Sequence, residues 1–319
     1  TFETLTGNKC LVDTFDRNFQ FNVEHISLAK LADIFLVAPA SADVIGKIAN
    51  GIADDMLTTT IMACKCPKLI SPAMNTNMFT NPIVQDNLKK LEHYGYEIIQ
   101  PDSGYLACGD TGAGKMPSEQ VLLNYILRTI AKDKDMAGIK LTVTAGPTRE
   151  KLDPVRFLSN NSTGKMGYAI AKMAMLRGAD VTLISGKVSL EPVPFVKMVD
   201  IVSAEDMYNA VIKSAKDADI IIKAAAVADY RPSEVSDEKI KKKDGDMSIP
   251  LERTKDIIGT LGSSKRDGLF LCGFSMETEH MLDNSKVKLT KKNLDMIVAN
   301  NVKVAGAGFG TDTNVVTVI

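Results

Sequence analysis

The sequence has no long apolar run, almost no net charge and too few cysteines to staple a fold, and each lack excludes a class of protein. No stretch approaches the ~18 apolar residues of a membrane-spanning helix, and no charged-then-apolar leader opens the chain. Neither insertion nor export is therefore expected, and a cytoplasmic location is the default. The 38 Lys+Arg are balanced by 39 Asp+Glu, a net charge of −1. No global field attracts a polyanion, which disfavours general nucleic-acid binding. Five cysteines, odd in number and irregularly spaced (Cys10, Cys64, Cys66, Cys108, Cys272), make no disulfide framework and read as free thiols. Cys64 and Cys66 are one residue apart with no second Cys or His pair nearby, which argues against zinc.

What is present is ordinary globular material: 319 residues, 45% hydrophobic and 24% charged, enough for two domains that each bury a core. Thr1 opens the chain and the β-like run Val315-Val316-Thr317-Val318-Ile319 closes it, so both ends are expected to be cut. Residues 32–51 read as a buried strand, a turn of small residues and a helix ended by Gly51. A second strand is expected at 68–71, a polar helix at 82–94, a mobile glycine-rich loop at 102–117, and a helix at 118–130. The charged stretch 131–138 then suggests a boundary, giving domains 1–137 and 138–319. The second half restarts with a strand at 140–145, a long loop holding Gly146 and Gly164, a helix at 168–177 and a strand at 180–185. A strand at 218–226, a lysine-rich loop and a cationic helical stretch around 288–293 follow. Alternation of strand and helix predicts α/β, two doubly wound Rossmann-like domains whose ligand crevices lie where the strands end.

The halves echo each other: residues 32–43 align without gaps on residues 218–229, both with small residues at the strand end. A tight turn under a ligand explains this as well as duplication does. Ser162-Thr163-Gly164-Lys165-Met166-Gly167 opens a helix and could present free N–H groups to an anion, or could be a plain structural turn. It lacks the Ser or Thr after Lys165 that a P-loop requires, and neither half has a clean Gly-x-Gly-x-x-Gly after its first strand. Lys239, Lys241, Lys242 and Lys243 read as a solvated face or, given their place after a strand end, as partners of a polyphosphate; Lys288 and Lys292 share one helix face. Cys108, among glycines, has the setting of a thiol that enters and leaves a site. His25 reads as a surface histidine or an active-site one, and Asn75 as a turn cap or a hydrogen-bond donor to a carboxylate or flavin.

Taken together, Val23-Glu24-His25-Ile26, Ala38-Pro39-Ala40-Ser41-Ala42-Asp43, Pro72-Ala73-Met74-Asn75 and Ala107-Cys108-Gly109-Asp110 in the first half carry a family resemblance. In the second half it is carried by Thr144-Ala145-Gly146-Pro147-Thr148-Arg149-Glu150, the Ser159-to-Gly167 loop, Ala225-Ala226-Val227-Ala228-Asp229-Tyr230 and Lys239-Ile240-Lys241-Lys242. The chain resembles the bifunctional phosphopantothenoylcysteine decarboxylase / phosphopantothenate-cysteine ligase family of bacterial coenzyme A biosynthesis. The resemblance implies an FMN-dependent first half. There the cysteine moiety of the substrate is oxidised to a thioaldehyde, carbon dioxide leaves, and the enethiolate is reduced and protonated. By position, Ser41 would lie against the flavin, His25 would assist the oxidation, Asn75 would hold the substrate carboxylate, and Cys108 would donate the proton.

The second half is similar to the ligase, which activates 4'-phosphopantothenate with CTP as an acyl cytidylate and lets cysteine displace CMP. The resemblance places Lys239, Lys288 and Lys292, with Mg²⁺, on the triphosphate. It places Lys223, Ala224, Ala225, Asp229, Lys255, Asp256, Ile257, Ile258 and Phe274 on the nucleotide, and Asn160 on the intermediate. Family members open with a strand and a glycine-rich turn that grips the flavin phosphate; the first domain is expected to lack this βα unit, and a homo-oligomer could complete the site. The runner-up reading is a nicotinamide-dependent two-domain oxidoreductase, since doubly wound sheets serve many chemistries.

Overall fold

The computed structural model describes residues 2–12, 23–105, 109–242, 245–277, 280–301 and 311–319, and the chain divides into two compact units, 1–132 and 133–319. The first unit runs α1 (Phe2–Thr6), α2 (Glu24–Leu31), β1 (Phe35–Ala40), α3 (Ala42–Ala49), α4 (Met56–Ala63), β2 (Lys68–Pro72), α5 (Thr76–Phe79), α6 (Pro82–His93), β3 (Glu97–Ile98), β4 (Asp102–Tyr105), β5 (Thr111–Lys115) and α7 (Glu119–Ile130). β1, β2 and β3 form a parallel sheet in that order. Ser41 ends the strand and starts the helix, its hydroxyl accepting from Val44 N at 3.3 Å. Apolar spacing along α3 and α6 turns Ile45, Ile48, Leu88 and Leu91 onto Val37 and Ile70. A second cluster joins Leu69, Ile99 and Leu122 of α7.

Residues 102–117 differ from the expected loop. β4 and β5 pair antiparallel, with Gly104 opposite Gly112. The glycines serve close approach here: Met74 N donates to the Gly114 carbonyl at 3.0 Å, and a Cβ on Gly114, whose φ is +133°, would stand 2.2 Å from the Met74 carbonyl oxygen. Docking on the segment after β2 supplies the order that the segment's own composition does not.

The second unit contains β6 (Lys140–Ala145), β7 (Arg149–Lys151), β8 (Phe157–Ser159), α8 (Lys165–Leu176), β9 (Asp180–Ser185), β10 (Lys197–Asp200), α9 (Ala204–Ser214), β11 (Ile220–Lys223), β12 (Tyr230–Pro232), β13 (Leu251–Arg253), α10 (Ile257–Ser263), β14 (Phe270–Glu277), α11 (Met281–Lys291), β15 (Met296–Asn301) and β16 (Val316–Val318). The main sheet has the order β10-β9-β6-β11-β14-β15-β16, parallel except for β16. One face packs Leu141, Val143 and Leu183 against Ala171 and Ala174 of α8. The other packs Ile184 and Ile221 against Met207, Val211, Ile257 and Leu261 of α9 and α10. Helices on both faces of a parallel sheet make this a doubly wound, Rossmann-like unit.

α8 begins at Lys165, three residues before the helix expected at 168. The strand expected at 218–226 ends at Lys223. The hydroxyl of Thr144 captures Ala225 N at 3.1 Å and Ala226 N reaches the Gly146 carbonyl at 3.0 Å, so the chain leaves β14 and follows the exit of β6.

Candidate functional site

The register of the second sheet places Lys223, the last residue of β11, between Thr144 and Gly273. Gly273 leaves room for α10: a Cβ there would stand 3.2 Å from Ile258 Cδ1 and 2.8 Å from Leu294 Cδ1. Asp256 caps α10 by accepting from Gly259 N at 3.1 Å, and its carboxylate pairs with Lys292 at 3.1 Å. Lys288, near the end of α11, donates to Ser275 of β14 at 3.1 Å. Phe274, half-buried, lies between Gly273 and Ser275 on that strand.

These charges act on one another. Burial pushes the Lys223 pKa below its ordinary value, and the ammonium groups of Lys292 and Lys288 push the same way against Asp256 and Asp229. For Asp256, burial pushes upward, but the Gly259 N–H and Lys292 outweigh it and hold the carboxyl below its usual range. Three lysines and two carboxylates from four parts of the chain thus converge where β11 ends, beside Gly273–Ser275 of β14. A cluster in which lysines crowd one another is relieved by an anion.

Other residues of the expected site fall around it. The loop 224–229 is held by hydrogen bonds, Ala228 N to the Thr148 hydroxyl at 3.0 Å and the Thr254 hydroxyl to the Ala228 carbonyl at 2.6 Å. Asn160 donates to the Ala226 carbonyl at 3.0 Å, which brings it to the same strand end. Lys255 turns away toward α9, paired with Glu205 at 2.7 Å and 4.9 Å above the Tyr208 ring. Lys239 stands exposed on the loop after β12, and its neighbour Ile240 is anchored by donating to Asp153 at 3.2 Å. Arg156 fixes Asp153 in turn, donating through Nε at 2.9 Å, and holds the Asp153 carboxyl well below the usual range. Lys239 itself makes no hydrogen bond or ion pair among the described residues.

The glycine loops have a structural explanation: a Cβ on Gly164, at φ +80°, would stand 3.4 Å from Gly146 Cα and 3.0 Å from a Val188 methyl. Thr144, Thr148, Asp153 and Ser275 were not singled out in the sequence. Thr144 and Thr148 lie in a motif that was, but nothing local says that their hydroxyls hold residues about 80 positions away.

In the first unit Asn75 caps α5, accepting from Asn77 N at 2.8 Å, and its amide also donates to Asp110 at 2.9 Å. Ala73 N donates to the Ala40 carbonyl at 3.0 Å, so the ends of β1 and β2, with Ser41 and Asn75, stay together. The Ser71 hydroxyl, near the end of β2, is buried and has no hydrogen-bond partner among the described residues, which suits a polar ligand at that strand end. His25 lies half-buried in the first turn of α2 and makes no hydrogen bond or ion pair among the described residues. Cys108 lies outside the described residues. No disulfide occurs among the described residues; burial raises Cys64, with Cys66 adding to it, and pushes the Cys272 thiol up to about 11.

Two doubly wound units, one of them carrying ammonium groups at a strand end, define the class: a two-domain α/β enzyme. Residues 1–131 match the family described as "Flavoprotein", and residues 136–319 the family described as "DNA/pantothenate metabolism flavoprotein C-terminal domain". The chain is 47% identical, over 100% of its length and 79% of the relative's, to the coenzyme A biosynthesis bifunctional protein CoaBC of Bacillus subtilis (strain 168). It is 43% identical, over 100% of its length and 90% of the relative's, to a cysteine/cysteine sulfinic acid decarboxylase of an unknown prokaryotic organism. The crystal structure of the C-terminal domain of a CoaBC protein matches 59% of the chain and 83% of its own length at 45% identity, with a TM-score of 0.49. The chain belongs to the CoaBC family of bifunctional coenzyme A biosynthesis proteins, with a flavoprotein decarboxylase half and a ligase half. The nicotinamide-dependent alternative finds no support. No helix among the described residues is long and apolar enough to cross a membrane.

Proposed function

We propose that the second unit joins 4'-phosphopantothenate to cysteine at the expense of CTP, and that the first, with FMN, decarboxylates the product to 4'-phosphopantetheine. The observation that carries the ligase reading is the convergence of Lys223, Lys288 and Lys292 with Asp229 and Asp256. A carboxylate is a poor electrophile. Its oxygen attacks the α-phosphorus of CTP, the bond to pyrophosphate breaks, and the amine of cysteine then attacks the acyl carbon as CMP departs. Ammonium groups lower the barrier by taking up charge on the departing pyrophosphate. Mg²⁺ would be carried largely by triphosphate oxygens, the usual habit of this ion. Phe274, Ala224, Ala225, Ile257 and Ile258 would shape the nucleotide site, Asn160 would reach the acyl cytidylate from its place beside Ala226, and Lys239 would add charge from its anchored loop.

In the first unit the polar groups Ser41, Ser71 and Asn75 at the ends of β1 and β2 would hold FMN and the substrate. When bound, FMN supplies a two-electron acceptor for the thiol-bearing carbon and returns the electrons after carbon dioxide has left. Asn75 would orient the carboxylate, His25 would assist the oxidation, and Cys108 would protonate the carbon. Exposed Ile26, Leu28 and Leu31 of α2 suit assembly into a homo-oligomer, and the absence of a spanning helix among the described residues suits a cytoplasmic enzyme. The test is pyrophosphate release from CTP against ATP in the presence of 4'-phosphopantothenate and cysteine. Multiple-turnover release with CTP that requires both co-substrates is expected, with at most one equivalent per site when cysteine is left out; equal rates with ATP, multiple turnovers without cysteine, or any release without 4'-phosphopantothenate would remove the CTP ligase reading.

A further inference from the structure

Asn75 and Asp110 are 35 positions apart, yet the Asn75 amide donates from Nδ2 to Oδ2 of Asp110 at 2.9 Å. Its other end is committed as well, since Oδ1 accepts from Asn77 N at 2.8 Å. The amide is thus held with its donor end toward a carboxylate. Asp110 reaches this place through the backbone: it immediately precedes β5, whose Gly114 carbonyl accepts from Met74 N at 3.0 Å, and a Cβ on Gly112 would stand 2.5 Å from the Thr76 hydroxyl. Close packing of β5 on residues 74–76 therefore brings a carboxylate to the amide. Asp110 itself is exposed, so the contact is a solvated one of modest strength that another carboxylate can replace.

We propose that Asp110 is an affinity-determining residue of the decarboxylase: its carboxylate occupies the place on Asn75 that the substrate carboxylate takes, and the substrate must displace it. The inference rests on the reading of Asn75 as the residue that holds the substrate carboxylate. Nδ2 carries two N–H bonds and offers the same hydrogen bond whichever molecule brings the oxygen, but carboxylates on both would stand within a few ångströms of each other and repel, so one displaces the other. Affinity falls in proportion to the fraction of molecules in which Asn75 is taken; occupancy of about nine in ten weakens binding roughly 10-fold. The decarboxylated product has no claim on the amide. Asp110 therefore discriminates against substrate binding and leaves product untouched, a difference that binding alone can read.

The experiment is calorimetric titration of the FMN-loaded full chain with two probes. One is 4'-phosphopantothenoyl-serine, which keeps the carboxylate but has no thiol to oxidise; the other is 4'-phosphopantetheine, which has no carboxylate. Asp110→Ala and Asp110→Asn should tighten the serine compound by roughly 3- to 10-fold and leave 4'-phosphopantetheine unchanged. In an Asn75→Ala background the Asp110 substitutions should have no effect. Unchanged or weaker binding of the serine compound in both Asp110 variants, or equal tightening of both probes, overturns the proposal. Should Asn75→Ala alone leave the serine compound's affinity intact, the reading of Asn75 fails first and this inference goes with it.

Discussion

Residues 32–43 and 218–229 align without a gap, and both carry a strand of a parallel sheet, β1 at the edge of its three strands and β11 in the middle of its seven, but they end differently. β1 runs to Ala40, and the Ser41 hydroxyl turns the chain straight into α3. At the matching place the second stretch has Val227, packed at the edge of a core cluster, and the chain continues as a loop tied to Thr144 and Thr148. Val37 is 3% exposed among Ile45 and Ile70, whereas its counterpart Lys223 lies in the electrostatic field of two other lysines. A common backbone path through a parallel sheet is therefore compatible with a silent strand end or a charged one. The side chain at one position decides which.

Exchanging that residue tests the comparison most severely. Val37→Lys would bury an ammonium with no partner in an apolar cluster and should destabilise the first unit by about 3–5 kcal/mol, read as a fall in its thermal or urea midpoint. Survival of the unit with unchanged stability would show that the strand ends are more alike than their packing indicates.

The converse substitution concerns protons. The lowered pKa of Lys223 means that the folded chain binds protons less readily there than the unfolded chain does. The cost of that burial is fully present below the lowered value and is relieved as pH rises through it toward the ordinary lysine value of 10.5. A bound triphosphate restores the charged form, so nucleotide binding should take up protons and weaken as pH rises through the lowered value. Calorimetry in buffers of different ionisation enthalpy measures this uptake. In Lys223→Val the uptake should disappear, with CTP-dependent pyrophosphate release falling by about 10²-fold; proton uptake that persists would assign the effect to another group.

The smallest effect lies at the helix that only one stretch starts. Ser41→Ala removes the α3 cap and should cost about 1 kcal/mol of first-unit stability, measured by denaturant unfolding. Val227→Ser, which has no helix to cap, should not produce a matching gain.

Much of the fold was legible. The strands at 140–145 and 180–185 and the helices beginning near Pro82 and Ser118 stand where apolar periodicity and capping residues put them. The departures share a cause. Residues 102–117 are glycine-rich and suggested a loop, because the residues that order β5 are supplied by the segment 74–76. β11 stops at Lys223 because hydroxyls near residue 146 compete for its backbone. Of the candidate site, Lys288, Lys292, Asp229 and Asp256 were recognisable from their setting and the family resemblance, and the structure brings them to Lys223. The roles of Thr144, Thr148, Asp153 and Asp110 were invisible, since each acts on a partner dozens of residues away.

The amino-acid order by itself determined the alternation of strands and helices, the two-domain plan and the family, because periodicity, caps and motifs are local and survive without tertiary contacts. Only the tertiary structure decided which lysines share a field, which strand end is charged and which carboxylate meets Asn75. Those are distances between residues remote in sequence, and electrostatic and hydrogen-bond energies depend on distance and burial rather than on residue type.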